Sequence, residues 1–331
     1  MLKPPWDAAL TRLSSLRALT LGDAILDSYL LGEARRISPE APVPIVEIQS
    51  EERRLGGAAN VAANAASLGA LCRLICVVGK DEAGAELKKL LAEARINGEG
   101  VVIDAARPTS HKTRVIARNQ QVVRLDRESR LPISEEARHA VLENARRFIP
   151  FSDALIIEDY DKGVLDAEMI AEAGELARRA GIPVVVDPKA ENFWSYRGAA
   201  CVVPNVQEAG EAVGRRLTTE RELRRAAREI MERLELEFLL ITRGPNGMSL
   251  YERGAETRIP AAAREVYDVT GAGDTVAAAF TLGLAAGLSP VDAARMANCA
   301  AGLAVGQMGC AVATQDQLRA ELVKMEQEKA L

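Results

Sequence analysis

Asp268-Val269-Thr270-Gly271-Ala272-Gly273-Asp274-Thr275 joins a hairpin pattern ending near Pro260 to a small-residue, apolar segment, 276–288, of helical composition and length. A glycine turn therefore opens a helix. Glycines at 271 and 273 free the backbone for unusual dihedrals and for close approach to a ligand, because no Cβ intervenes. The first N–H groups of a helix lack partners within it, and with the positive end of the dipole they seat an anion, most often a phosphate. Asp274 stands at the edge of that seat. A carboxylate there can take the proton of a hydroxyl that attacks phosphorus, as phosphoryl transfer requires. Asp274 can equally be the N-cap of a helix starting at Thr275, since Asp is a preferred cap. A capping box from Thr270 is disfavoured, because Gly273 stands where Glu or Gln is wanted. In either role the nearby helix dipole is expected to lower the pKa of Asp274.

Outward from this stretch, short apolar runs each end in polar residues. Residues 17–21 run into Gly22-Asp23, with Asp27 read as one helical turn further on. Leu155-Ile156-Ile157 ends in Glu158-Asp159, Pro183-Val184-Val185-Val186 in Asp187, Cys201-Val202-Val203 in Pro204-Asn205, and Phe238-Leu239-Leu240-Ile241 in Thr242. Helical stretches such as 168–179 and 219–234 separate them. This pattern predicts an α/β fold with a mostly parallel central sheet flanked by helices on both faces. Ligands bind such sheets outside the carboxyl ends of the strands. One polar residue merely ends a strand; five such ends at one edge, three bearing Asp, indicate a site.

Gly56-Gly57-Ala58-Ala59-Asn60-Val61-Ala62 opens another helix, reaching Leu68. Gly56 and Gly57 let the backbone approach a ligand, and Asn60 offers a donor and an acceptor to a sugar hydroxyl; small residues at a helix start also serve simple close packing. Prolines at 39, 42 and 44 extend the chain before 45–50, which alternates apolar and polar residues. A second alternating stretch, 113–125, turns at Asn119-Gln120-Gln121. The two segments, about 34–55 and 108–127, are expected to form a small antiparallel β flap, a lid that excludes water and whose outer face suits a homodimer contact. Residues 243–247 read as a turn between strands, and 290–305 and 315–328 as outer-layer helices.

The 331 residues, 48% hydrophobic, can bury one large core, and no repeat or low-complexity linker divides them, so a single domain over 1–331 is expected. A net charge of -5 and 4% aromatic residues argue against nucleic-acid and membrane-surface partners. Without a bilayer-length apolar window, a cytoplasmic protein is expected. The five cysteines lie in apolar runs and the only histidines are His111 and His139, which disfavours a zinc site. Neither GxxxxGK[ST] nor a GxGxxG after the first strand is present, which excludes a P-loop enzyme and weakens a nicotinamide-dependent one.

Gly56-Gly57-Ala58-Ala59-Asn60, Asn205-Val206-Gln207-Glu208 and Asp268-Val269-Thr270-Gly271-Ala272-Gly273-Asp274, in that order, make the chain resemble the ribokinase-like sugar kinases of the phosphofructokinase B family over essentially its full length. The resemblance implies a ribokinase-like fold and an ATP-dependent kinase for a sugar hydroxyl. Asp274 would be its base, and the amides of Gly271, Ala272, Gly273 and Asp274 its anion hole. By the same resemblance Asn205, Val206, Gln207 and Glu208 form an element that organises the nucleotide phosphates and Mg2+, with Glu208 acting through water. Thr242 and Gly244 match a turn beside ATP, and Asp268 and Thr270 stand where ligands of a monovalent cation such as K+ lie in relatives.

A closer resemblance, to family members that phosphorylate heptose 7-phosphate at C1 on the route to ADP-heptose and lipopolysaccharide, has four carriers. They are Arg36-Ile37-Ser38-Pro39-Glu40-Ala41-Pro42-Val43-Pro44, the stretch from Lys112-Thr113-Arg114 to Arg124-Leu125-Asp126, Asp159-Tyr160-Asp161-Lys162-Gly163, and Asp187-Pro188-Lys189. Many such relatives carry a fused nucleotidyltransferase domain; none is recognised here, so the second activity is expected on another polypeptide. A sugar phosphate needs cations at its phosphate end, and Arg36, Lys112, Arg114, Lys162 and Lys189 supply them. Asp23, Asp27 and Asn60 suit sugar hydroxyls, with Gly56, Gly57 and Asp187 beside them. A same-family kinase for ribose, fructose phosphate or adenosine is the alternative, as is a catalytically silent sugar-nucleotide sensor.

Overall fold

The computed structural model describes residues 6–118, 120–262, 266–306 and 309–328. In chain order, α1 (Trp6–Leu13) precedes β1 (Arg17–Gly22), β2 (Ala24–Ile37), β3 (Pro44–Gly57), α2 (Ala58–Ser67) and β4 (Leu71–Val78). Next come α3 (Glu82–Glu93), β5 (Asn97–Ile103), β6 (His111–Ala117), β7 (Gln120–Arg127), α4 (Glu135–Phe148), β8 (Ala154–Glu158) and α5 (Ala167–Ala180). They are followed by β9 (Val184–Asp187), β10 (Cys201–Val202), α6 (Val206–Ala212), α7 (Glu220–Leu234) and β11 (Phe238–Thr242). The last elements are β12 (Met248–Glu252), β13 (Ala255–Ile259), α8 (Ala272–Ala285), α9 (Pro290–Ala304) and α10 (Gln315–Glu328). Among the described residues no helix is long and apolar enough to cross a membrane.

The apolar runs form a nine-stranded sheet in the order β13-β12-β11-β10-β9-β8-β1-β4-β5. It is parallel from β11 to β5, and β12 and β13 add an antiparallel edge. The central strands do not alternate in polarity because both faces are covered. Ile156 and Val185 enter the core beneath α2, α8 and α9. Their neighbours Leu155, Ile157, Val184 and Val186 enter the core beneath α4, α5 and α7. Local signals place the helix starts: Asp166 accepts from the Met169 amide to open α5, and Thr219 and Glu222 form a capping box at α7.

One helix sits deeper than expected. The stretch 290–305 reads as outer layer, but α9 packs on α8, β12 and β13, and α10 covers it. Its alanines permit the approach: a Cβ at Gly283 of α8 would lie 2.9 Å from the Ala293 Cβ. α8, apolar on every side, is buried from Asp274 to Gly283, as such a helix must be.

A second, smaller sheet, in the order β3-β2-β6-β7, is built from the segments expected to form the lid and is called the lid. β2/β3 and β6/β7 are antiparallel hairpins, and β2 pairs in parallel with β6 where they meet. The lid begins at Ala24, ten residues before the expected 34, because the first six residues of β2 are buried and show no alternation. Asp27 accordingly lies on a strand, opposite Arg54 and Lys112, and not one helical turn past Asp23. Of the expected turn at Asn119-Gln120-Gln121, Asn119 lies outside the described residues.

The lid leaves the large sheet at Gly22 and Asp23 and returns at Gly57, where the Ala58 amide donates to the Asp23 carbonyl at 3.0 Å. Gly22 permits this crossing, since a Cβ there would stand 1.9 Å from the Glu158 carbonyl oxygen. Gly22→Ala must push β1 away from β8, and a loss of about 2–4 kcal/mol in urea unfolding is expected. An unchanged unfolding midpoint would contradict this role.

Candidate active site

Gly271, in the left-handed region at φ 78°, is the N-cap of α8, so the helix begins at Ala272, three residues earlier than Thr275. Asp274 therefore lies inside the first turn, and no side chain caps the helix. This rules out the cap role. Its carboxylate reaches sideways instead: Asn60 Nδ2 donates to Oδ2 at 2.6 Å and Tyr160 Oη donates to Oδ1 at 3.0 Å. Only glycine fits at 271, because a Cβ would stand 2.6 Å from Asn60 Nδ2.

Asn60 is held in turn from both helices. Asn64 Nδ2 donates to the Asn60 carbonyl at 2.9 Å, and Thr275 Oγ1 donates to Asn64 Oδ1 at 2.9 Å. Burial raises the Asp274 pKa, and the hydrogen bonds from Asn60 and Tyr160 offset this only in part. The lowered value expected from the helix dipole is thus reversed, because a carboxylate that is 3% exposed loses its hydration. In the first turn the Ala272 amide is taken by the Val269 carbonyl at 3.2 Å. Among the described bonds none uses the amides of Gly273 and Asp274.

Two further carboxylates stand beside Asp274. Glu158 ends β8, Asp187 ends β9, and one oxygen of each lies within 4.8 Å of the others and of Asp274. Burial, with Asp187 and Asp274 adding, pushes the Glu158 carboxyl well up. Asp187 is pushed up to about 8, chiefly by burial, with Lys189 opposing. Lys189 forms an ion pair with Glu208. Although burial opposes it, the Asp187 and Glu208 charges hold the Lys189 ammonium above its ordinary pKa.

The segment 205–208 is a capping box at the start of α6. Asn205 Oδ1 accepts from the Glu208 amide and Glu208 Oε2 from the Asn205 amide, each at 2.9 Å. Asn205 also bridges to Thr242, whose amide donates to the Pro204 carbonyl at 3.0 Å. Gly244 is exposed just beyond. Beside them a cavity of about 380 Å³ is lined by Val206, Leu217, Leu223, Thr219, Arg243 and Asn246, among others. Gln207 points along α6, its amide donating to Glu211 at 2.8 Å. A larger cavity, about 870 Å³, lies between α7 and the β12–β13 hairpin and contains none of these residues.

The cations fall into three groups. Lys112 from the lid and Lys189 each lie 5.2 Å from the centre of the Tyr160 ring. Arg114 is paired with Asp27, and Lys162, 6% exposed, with Glu128 at 2.7 Å. Arg36 is not brought to the cluster: it lies on the outer end of β2, exposed, 3.8 Å from Glu47. Gly56 makes room for Asp27, whose Oδ2 would stand 2.2 Å from a Cβ there. Asp23 turns to the backbone, its carboxylate accepting from the amides of Tyr160, Lys162 and Val164, so it shapes that loop. Asp268 likewise accepts from Thr270, amide and hydroxyl, and from the Gly309 amide at 2.9 Å.

Glu158, Tyr160 and Thr275, named in the sequence only within longer stretches, and Asn64, not named there, are members of the site to which sequence reasoning gave no role of their own. The signal for the first two was the strand end at Glu158-Asp159-Tyr160; the others carry none outside three dimensions.

Residues 17–317 match the family model described as pfkB family carbohydrate kinase. The bifunctional protein HldE of Geotalea uraniireducens is 46% identical over 321 residues, covering 96% of this chain. That of Wolinella succinogenes is 42% identical over 307 residues, covering 92%. The chain spans only 65% of the length of either relative. Ribokinase of Arabidopsis thaliana, solved with ribose and ATP, superposes with a TM-score of 0.73 at 20% identity, over 93% of this chain and 98% of that one. Phosphofructokinase-2 of Escherichia coli, solved with substrates and products, gives 0.77 at 22% identity, over 94% and 100%. These two likenesses establish a ribokinase-like fold. With the family match spanning both sheets and the Asp274 cluster, the chain belongs to the pfkB family of carbohydrate kinases, phosphotransferases that act on a sugar.

Proposed function

We propose that this kinase phosphorylates the C1 hydroxyl of D-glycero-β-D-manno-heptose 7-phosphate to the 1,7-bisphosphate, a precursor of ADP-heptose and lipopolysaccharide, with Asp274 as general base. The observation that carries the mechanism is the buried Asp274 carboxylate, pinned by Asn60 and Tyr160 beside the unbonded amides of Gly273 and Asp274. The heptose assignment is supported by the kinship with HldE proteins and by two cations, Lys112 and Lys189, each 5.2 Å from the centre of the Tyr160 ring. Among the described residues Lys112 has no carboxylate in ion-pair range, which suits it to the 7-phosphate.

The residues present fit ATP and Mg2+. The cavity beside Asn205 and Thr242 has an apolar floor of Val206, Leu217 and Leu223 for a flat ring system. Gly271 and Gly273 leave a cradle for phosphate oxygens at the α8 N-terminus. Glu208 would hold the magnesium through water, and Asp268 and Thr270 a potassium ion. When bound, MgATP supplies the phosphoryl group and neutralises much of its charge.

The chain's own contribution is positional and acid–base. Asp274 receives the C1 hydroxyl proton on a carboxylate oxygen while Asn60 and Tyr160 keep the group oriented. Its raised pKa makes it a stronger base than a surface aspartate. Lys112 and Lys189, both close to the Tyr160 ring, position anionic groups, and the lid limits water at the reacting centre. The whole chain acts as one kinase domain in the cytoplasm. Exposed Ile48, Val122, Val123 and Leu125 on the lid are the surface on which a second copy pairs.

Measuring ADP release with MgATP and a panel of sugars and sugar phosphates tests substrate and base together. Heptose 7-phosphate should give the highest kcat/KM, and Asp274→Asn should keep the melting temperature while losing about 10³-fold or more in kcat. A preference for a non-phosphorylated sugar removes the substrate assignment, and near-normal turnover in Asp274→Asn removes the base.

The pH profile gives a separate check. Asp274 is a base only when ionised, so kcat/KM should fall on acidification, at a pH above the ordinary aspartate value of about 3.9. Tyr160 donates to the ionised form, so Tyr160→Phe should raise the Asp274 pKa further and move the acidic limb to higher pH. A limb that stays in place, or moves to lower pH, would contradict the assignment.

A further inference from the structure

Glu158 and Asp187 end adjacent parallel strands and are register partners. With Asp274 they form the one group of three metal-competent side chains found among the described residues. The surroundings account for two of the three. Asp274 is bonded by Asn60 and Tyr160. Asp187 Oδ2 lies against α8, 3.2 Å from where a Cβ on Gly273 would stand, with the Lys189 charge nearby.

Glu158 differs from both. It is 0% exposed, and among the described residues neither of its carboxylate oxygens has a hydrogen-bond partner. The ammonium of Lys189 pairs with Glu208. A buried carboxylate without a partner is among the most costly groups a protein can ionise, and Asp187 and Asp274 add to that cost while the Lys189 ammonium relieves it only in part. A polyanion approaching Asp274 would face the same charges.

We infer that Glu158 and Asp187 directly ligate a divalent cation of the Mg2+ or Mn2+ class, at a site other than the water-mediated magnesium assigned to Glu208. The donors are carboxylate oxygens with no nitrogen or sulfur among them, which selects a hard cation. Mg2+ characteristically takes one or two carboxylates and keeps several waters, and these two strand-end side chains supply that number. Asp274, its oxygens engaged by Asn60 and Tyr160, is left to act as base. The site is defined without reference to the sugar, so it stands or falls apart from the heptose assignment.

The test is titration of the nucleotide-free full chain with MnCl2, following free Mn2+ by electron paramagnetic resonance and stability by thermal melting. Wild-type protein should bind Mn2+ in competition with Mg2+ and melt at a higher temperature when loaded. Glu158→Gln and Asp187→Asn should each weaken binding by at least about tenfold, whereas Glu208→Gln should change it by less than about threefold. Glu158→Gln replaces an unpartnered charge with a neutral side chain of the same shape, so it should fold and melt at a temperature insensitive to Mn2+. No Mn2+ binding by the wild type would overturn the inference. So would equal affinity in Glu158→Gln, which would mean that the carboxylates share protons instead, or a loss confined to Glu208→Gln, which would put the metal at the α6 capping box alone.

Discussion

The hydrogen bond from Asn60 to Asp274 joins two helix starts that are 214 residues apart in the chain. Both helices lie on the same face of the sheet, α2 over β1 and β4 and α8 over β8 and β9. Each begins at a glycine with positive φ, 55° at Gly57 and 78° at Gly271. Neither turn tolerates a Cβ, and neither helix uses a side-chain cap. The first turns thereby carry no side-chain cap, and their polar side chains Asn60 and Asp274 are directed at each other across the helix starts. Asn64 and Thr275 lock the same interface one turn deeper, so the position of Asp274 is set by the packing of α2 on α8. The same group that would do the chemistry therefore also ties the halves of the chain together.

Burial sets the electrical character of the site. Strands β8 and β9 deliver Glu158 and Asp187 to the edge where Asp274 sits, and each carboxyl is raised by loss of hydration before any neighbour acts on it. Tyr160 links these acidic groups to two cations: its hydroxyl bonds Asp274, and its ring centre lies 5.2 Å from the ammonium of both Lys112 and Lys189. Lys112 belongs to the lid and Lys189 follows β9. An anion bound by both would therefore connect the two sheets, a direct way for substrate to favour a closed lid.

Much of this was legible in the residues. Leu155-Ile156-Ile157 and Val184-Val185-Val186 announce strands buried on both faces, and their polar ends Glu158 and Asp187 do meet at one edge, beside Asp274. The glycine turn reads as the opening of a helix with Asp274 beside it, and it does open α8 with Asp274 in the first turn. What stayed hidden depends on tertiary placement. The start of α8 moves to Ala272 because a glycine in the left-handed region caps it with no side-chain signature. The pKa of Asp274 rises because α2 and α8 close over it, which no local dipole argument includes. Asp23 carries the composition of a sugar ligand but is consumed by the loop at 160–164, and Arg36 lies on the lid's outer end beside Glu47. α9 reads as a surface helix until its alanines are seen to admit close contact with Gly283.

The most direct measurement is a crystal structure with a non-hydrolysable ATP analogue, Mg2+ and heptose 7-phosphate bound. The sugar C1 oxygen should lie within about 2.6–3.2 Å of an Asp274 carboxylate oxygen, with Asn60 and Tyr160 still bonded to that group. A C1 oxygen far from Asp274, or an Asp274 side chain turned away from the sugar, would contradict the account.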